Sequence, residues 1–207
     1  MKTFRSKLSG DRLCERIFIS MILWAMIYFG VMLLSYFLLP EGLLKNRNPL
    51  QNWETSENTF VLILQIFFYN QLSVLILIGA SLFAKKREGE TNYLSLGYLT
   101  FFTLMVINGL VLGTWSFSVE SEPVPLLRRF IRTFDLLHRA GLWEMMGQLL
   151  ITCSVARIAV VLTSGKNTIT RKLSDIRLSM PEKRGLAFGL VLMLIGAVVE
   201  SLAIHSL

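Results

Sequence analysis

Five long apolar segments alternate with polar gaps along the 207 residues of the chain. Each is about 20 residues or longer, the length that an α-helix rising ~1.5 Å per residue needs to cross ~30 Å of hydrocarbon. Soluble domains alternate apolar and polar positions and seldom contain so many continuous apolar runs. The pattern predicts an all-α fold, a polytopic membrane bundle of about five transmembrane helices at about residues 17–39, 59–84, 93–117, 142–164 and 185–206.

The gap between the third and fourth predicted spans differs from the others, because apolar residues recur along it at near-helical spacing. Between them lie four basic residues, Arg128, Arg129, Arg132 and Arg139. This spacing predicts an amphipathic helix over about residues 124–140 that lies in the membrane interface or folds back against the bundle. A solvated helical connector is the alternative, and the side of the membrane on which residues 120–140 lie is left open.

The basic residues predict the orientation of the bundle. Most Lys and Arg residues lie in the N-terminal segment 1–16 and in the gaps after the second and fourth spans. Because cytoplasmic loops are enriched in basic residues, we expect these three regions on the cytoplasmic side. The prediction is a basic cytoplasmic segment, 1–16, and one membrane domain, 17–207, in the cell membrane, with the N-terminus inside and the C-terminus outside.

Composition narrows the possible partners. Hydrophobic residues make up 53% of the chain, 17% of residues are charged, and the formal net charge is +7. No signature of a nucleic-acid-binding domain accompanies this charge, so we expect contact with anionic lipid headgroups and no nucleic acid. The only cysteines, Cys14 and Cys153, form no spacing motif with the two histidines, and we therefore expect no metal site and no cofactor.

Several polar side chains lie inside the predicted spans, where an ionisable group is costly and usually has a partner. One interpretation is a polar cluster in the outer half of the bundle that lines a path or docks a partner helix. The other is interhelical hydrogen bonding that holds the helices in register. The candidate residues are Asn70, Gln71, Asn108, Glu144, Gln148 and Glu200.

Small residues four positions apart occur in two spans, Gly109 with Gly113 and Gly185 with Gly189. This spacing lets helix backbones approach closely, so we predict tight helix packing at these positions. It indicates a homo-oligomer only weakly.

No catalytic motif is present in the sequence, which contains no G-x-S-x-G, H-E-x-x-H or P-loop pattern. His138 and Glu144 are two titratable residues six positions apart, which is a weak basis for acid–base chemistry. We therefore predict that the protein is not an enzyme.

Three short motifs resemble the stage II sporulation protein M family of integral membrane proteins. They are an amide-bearing helix at 68–71, an Asn-Gly step at Asn108, and the Ala140-Gly-Leu-Trp-Glu144 element, where the family has His in place of Ala140. The resemblance covers about residues 60–163. It implies a non-enzymatic, multi-helix protein that works with partners, and roles for Asn108, Gly109 and Glu144.

The function predicted from these features is that of a scaffold or partner subunit of an envelope complex. The alternative is a transport, channel or peptide-export component, of the kind found with bacteriocins, that works with a separate ATPase. In either case we expect protein partners in the membrane, and the basic gap after the fourth span is where an ATPase would dock.

Overall fold

The computed structural model describes residues 2–45, 56–87, 92–116 and 124–205, and these form a mostly helical bundle with a small sheet at one end. The helices are α1 (Lys2–Leu8), α2 (Leu13–Leu38), α3 (Thr59–Ser81), α4 (Leu96–Gly113), α5 (Leu126–Leu136), α6 (Leu142–Val155) and α7 (Met180–His205). A π-helical turn, Leu137–Gly141, joins α5 to α6, and a 3-10 turn, Leu173–Asp175, precedes α7.

Four of these helices, α2, α3, α4 and α7, are long and apolar enough to cross a membrane. This agrees with the prediction of a multi-pass, helical membrane protein. Their starts follow local sequence: the Asn58 side chain accepts hydrogen bonds from the first backbone N–H groups of α3, and Ser95 does so for α4. Ser179 and Glu182 begin α7 with the spacing of a capping box, in which the Ser179 N–H donates to Glu182 Oε2 at 2.8 Å.

The fourth predicted span, 142–164, is wrong at its C-terminal side, because α6 ends at Val155. On the N-terminal side, helical structure extends further than expected. α5, the π turn and α6 follow one another without an intervening non-helical residue, so one helical path runs from Leu126 to Val155. On α5, Arg129 and Thr133 are buried, whereas Leu127, Ile131 and Phe134 are exposed.

The all-α prediction missed a four-stranded sheet with strand order β2-β1-β3-β4. β1 (Phe83–Lys86) pairs antiparallel with β2 (Tyr93–Ser95) and parallel with β3 (Val161–Ser164), which pairs antiparallel with β4 (Asn167–Thr170). Strand residues therefore occupy the ends of three predicted spans. They were missed because strands of three or four residues at the margin of an apolar run leave its hydropathy unchanged.

All four strands lie at one end of the bundle, which we call the sheet end. α2 and α7 begin there, α3 and α6 end there, and the pair Arg16 and Glu182 links the first turns of α2 and α7 across 166 positions. Asp11 forms an ion pair with Arg157 nearby, just beyond the end of α6. At the opposite or far end, His205 Nε2 lies 2.9 Å from the Glu57 carbonyl oxygen, where α7 ends and α3 begins.

Helix contacts in the interior depend on glycines. A Cβ added at Gly113 would lie 2.5 Å from the Met32 carbonyl oxygen, and one at Gly189 would lie 2.7 Å from the Ile151 side chain. α4 therefore packs directly on α2, and α7 on α6. α3 contacts α4 near the sheet end, at Gly97, and contacts α7 near the far end, where the Ser201 hydroxyl donates to the Thr59 carbonyl.

Candidate functional site: a polar cavity near the far end

A cavity of about 360 Å³ lies near the far end, between the C-terminal half of α4, the π turn, α6 and α7. We call it the far-end cavity. Its polar lining consists of Asn108, Glu144 and Glu200, together with Tyr28 of α2. The sequence predicted a cluster that included the first three, and the structure places all three on this one cavity.

Glu144 and Gln148 lie one helical turn apart on α6. The Gln148 amide donates to Glu144 Oε1 at 2.8 Å and to the hydroxyl of Ser73 on α3 at 2.9 Å. The Ser73 hydroxyl in turn donates to the Asn70 carbonyl at 2.6 Å. Gln148 is 4% exposed, and its two hydrogen bonds join Glu144 at the cavity wall to Ser73 on α3.

Glu200 lines this cavity and also a second one of about 380 Å³ beside it. The second cavity is lined by Trp115, Arg132, Asp135 and Arg139 as well. Arg139 forms an ion pair with Asp135 at 3.1 Å, one helical turn away. Glu200 is therefore shared by one cavity that contains the Glu144 carboxylate and another that contains the guanidinium groups of Arg132 and Arg139.

Three of the predicted cluster residues, Asn70, Gln71 and Gln148, lie outside the cavity lining. Gln71 donates to the Phe67 carbonyl of its own helix at 3.3 Å, and the backbone carbonyl of Asn70 is the acceptor for Ser73. Asn70 and Gln71 both lie on α3, whose contact with the site runs through Ser73 and Gln148.

All four predicted packing glycines lie at helix–helix contacts inside the chain. Gly109 and Gly113 face the backbone of α2, at the carbonyl groups of Tyr28 and Met32. Gly185 faces Ser154 and Gly189 faces the carbonyl of Gly147, both on α6. These contacts occupy the small-residue steps within one chain, and the proposed homo-oligomer stays a prediction.

A buried ion pair near the sheet end was absent from the sequence prediction. Arg16 is fully buried, and its Nη2 donates to Glu182 Oε1 at 2.6 Å, while the other oxygen of Glu182 accepts from Ser179. The distribution of basic residues predicts a cytoplasmic Arg16, because it reflects only the sign and position of each charge and carries no information on burial.

Arg129 is a second buried cation that was expected at an interface. Its Nη2 donates to Glu41 Oε1 at 2.6 Å, and its guanidinium lies 5.0 Å from the Trp115 ring and 5.6 Å from the Tyr36 ring. A cation over aromatic faces is stabilised by their quadrupoles. The contact fixes the start of α5 against the far ends of α2 and α4. The sequence signal for this contact is limited to an arginine and aromatic residues near the predicted helix ends.

Comparison of the chain with protein-family models, with curated proteins and with solved structures gives no match. The functional conclusion therefore depends on the chain's own residues.

Proposed function

We propose that the protein is a non-enzymatic integral membrane protein that serves as a scaffold or partner subunit of an envelope complex. In this proposal α2, α3, α4, the α5–α6 path and α7 cross the membrane. The sheet end faces the cytoplasm and the far-end cavity faces outside.

The five-crossing arrangement is supported by the length of the helical path from Leu126 to Val155, which combines an 11-residue helix, a five-residue π turn and a 14-residue helix. At ~1.5 Å per residue this path exceeds the ~30 Å of the hydrocarbon core. The exposed apolar residues of α5, Leu127, Ile131 and Phe134, suit a surface that lipid covers. The amphipathic helix of this proposal thus presents its apolar face outward.

The observation that carries the scaffold proposal is that the far-end cavity is closed toward the sheet end. Below the cavity, the centre of the bundle is filled by side chains with at most 1% exposure, Met105 of α4, Leu149 and Cys153 of α6, and Met193 of α7. Two buried polar groups beside this layer on α6 already have partners: Gln148 is bonded to Glu144 and Ser73, and the Thr152 hydroxyl donates to the Gln148 carbonyl. A close-packed interior of this kind suits a rigid support better than a conducting path.

The resemblance to the stage II sporulation protein M family supports the same proposal. Asn108, from the second matching motif, lines the far-end cavity together with Gly141 and Glu144 from the third. Two motifs that are separated by about thirty positions thus contribute to one feature. The family's work with partners would then apply to this chain.

The surface on which we expect cytoplasmic partners is the sheet end. Lys166 and Lys172 are exposed there, and β4 is an edge strand whose four residues are all exposed. An exposed edge offers unpaired backbone groups to a partner strand, and lysines favour an acidic one.

The test is affinity purification of the full chain in mild detergent from cells in which it replaces the native copy. We expect partner proteins to be recovered, and the double substitution Lys166→Glu and Lys172→Glu to reduce the recovery of cytoplasmic ones. Arg128→Glu, at an exposed position at the far end, is the charge-reversal control away from the sheet end. Recovery of the chain alone, from cells in which it still complements a deletion, would contradict the proposal.

A transport component is the second candidate, and the observation that favours it is the pair of carboxylates in the far-end cavity. Under this hypothesis Glu144 and Glu200 would bind a cationic or protonated cargo, and the ATPase would dock on the sheet end. Flux in proteoliposomes containing the ATPase discriminates between the two. Equal flux for the native chain, Glu144→Gln and Glu200→Gln would remove these carboxylates from any transport mechanism.

A further inference from the structure

The carboxylates of Glu144 and Glu200 face the same cavity, and neither forms an ion pair with a basic side chain among the described residues. The ion pairs of those residues use other carboxylates, those of Asp11, Glu15, Glu41, Asp135 and Glu182. Glu144 accepts one hydrogen bond, from Gln148. Ionised carboxylates held near each other at membrane depth are costly, and a bound cation offsets that cost.

Tyr28 gives an independent indication that the cavity holds a polar ligand. Its residue is 1% exposed and lines the cavity, and no hydrogen bond joins its hydroxyl to another of the described residues. A hydroxyl at a cavity wall with no protein partner can donate a hydrogen bond to a polar group in the cavity or accept one from it. Trp24 stacks on Tyr28 at 5.7 Å between ring centroids, which holds the phenol in place at the cavity wall.

The remaining walls are apolar. They are formed by the side chains of Ile107, Val111, Leu112, Leu136, Leu137 and Met145. Ile107 is 46% exposed, so the cavity reaches the outer surface of α4, which faces lipid in a membrane-spanning bundle. A ligand suited to these walls carries an apolar chain next to its charged group.

The adjoining second cavity favours a ligand that carries a negative group next to its ammonium group. It shares Glu200 and Leu136 with the far-end cavity and is lined by Arg132 and Arg139. Guanidinium groups bind phosphate well, also when they already have one partner. A head group with an ammonium and a phosphate a few bonds apart would contact both linings.

We propose that the far-end cavity binds a primary ammonium group carried on an apolar chain, held by Glu144, Glu200 and the Tyr28 hydroxyl. Two sources share this chemistry, the ethanolamine head group of an outer-leaflet phospholipid and a free amphiphilic amine. The lipid source additionally uses the guanidinium lining of the second cavity. This binding site goes beyond the scaffold function and does not depend on it, since it is measured on the isolated chain.

The test uses the full chain purified in a neutral detergent, with bound ligand counted by native mass spectrometry. Phosphatidylethanolamine is compared with phosphatidylcholine of the same acyl chains, and dodecylamine with its trimethylammonium analogue. We expect the primary ammonium member of at least one pair to be retained in preference to its methylated counterpart, because methylation removes the N–H donors. We expect Glu200→Gln to weaken that binding roughly tenfold or more, as for the loss of a charge-assisted hydrogen bond.

Two further variants keep the result interpretable if Glu200→Gln fails to fold. Tyr28→Phe removes only the hydroxyl and is expected to weaken binding several-fold, whereas Glu15→Gln, at the sheet end, changes the net charge equally and is expected to leave binding unchanged. Preference for phosphatidylethanolamine alone identifies the lipid source, and preference for dodecylamine alone identifies a free amine. No preference in either pair, or equal losses in Glu15→Gln and Glu200→Gln, would overturn the proposal.

Discussion

The sheet end and the far-end cavity both hold buried or half-buried charged side chains, but they treat them differently. At the sheet end, Arg16 and Glu182 are 0% and 6% exposed in their side chains and pair at 2.6 Å. In the far-end cavity, Glu144 and Glu200 have no basic partner among the described residues. A closed pair fixes the helices that carry it, whereas open carboxylates at a cavity remain available to a ligand. We therefore assign a structural role to the pair of Arg16 and Glu182 and a ligand-binding role to the far-end cavity.

The largest effect is expected from breaking the closed pair. Glu182→Gln leaves the buried Arg16 guanidinium without its counter-charge, so we expect a loss of about 3 kcal/mol in the free energy of unfolding. The measurement is the thermal unfolding midpoint in detergent. Glu15→Gln is the control, because its pair with Arg12 is exposed and should contribute less than about 1 kcal/mol. Equal shifts in the two variants would contradict a closed, buried pair.

A smaller effect is expected at the helix contact that supports the cavity. In Gly113→Ala the new Cβ would lie 2.5 Å from the Met32 carbonyl oxygen and 2.6 Å from the Ser35 Cβ. We expect a loss of about 1–3 kcal/mol, because α4 must move away from α2. Gly30→Ala, on α2, meets no atom within 4 Å and should raise stability by about 0.5–1 kcal/mol. Opposite signs in the unfolding midpoints are the expected result, and a loss in both would argue against this packing.

The next largest effect on stability is expected at the contact that holds α5. Arg129→Lys keeps the charge but loses the planar guanidinium that lies between the rings of Trp115 and Tyr36. We expect a loss of about 1–2 kcal/mol, together with a changed Trp115 environment in fluorescence. Arg128→Lys, one position away and exposed, should change neither observable. A silent Arg129→Lys would place α5 elsewhere.

The smallest effect on stability is expected in the cavity itself. Glu200→Gln breaks no ion pair among the described residues, so the unfolding midpoint without added ligand should correspond to a change within about 0.5 kcal/mol. Glu200→Gln and Glu182→Gln each remove one negative charge, which makes the two variants a matched pair. A loss at Glu200 as large as that at Glu182 would mean that Glu200 has a structural partner.

The membrane-length helices could be predicted from the sequence because the length of an apolar run such as 17–39 can be compared directly with the thickness of the hydrocarbon core. Residue burial within the runs was less accessible, since α2 and α4 are apolar on all sides and their inward faces are set by Gly109 and Gly113. The sheet contained a local signal, two β-branched runs joined at Gly165 and Lys166, with Gly165 at φ 58°. That turn suits a two-residue hairpin, but the first of the two runs lies at the end of the predicted span 142–164, where the apolar pattern conceals it.

Some residues of the candidate site could likewise be predicted from the sequence, and others could not. Asn108, Glu144 and Glu200 stood out because polar groups are rare at membrane depth. Tyr28 did not, because a tyrosine in a span is ordinary until its hydroxyl is found without a partner. The pairing of Arg16 with Glu182 depends on how α2 and α7 meet, and a separation of 166 positions carries no local pattern.

In the proposed arrangement an acidic cavity faces outside and is closed toward the sheet end. This arrangement is tested most directly by thiol labelling in intact cells, with Asn108→Cys in a Cys14→Ser background. We expect the new thiol to react from outside, and faster with a cationic methanethiosulfonate than with an anionic one, because Glu144 and Glu200 line the same cavity. Native Cys153, which is fully buried, should stay unmodified. Labelling only after the membrane is permeabilised, or a faster reaction with the anionic reagent, would contradict the account.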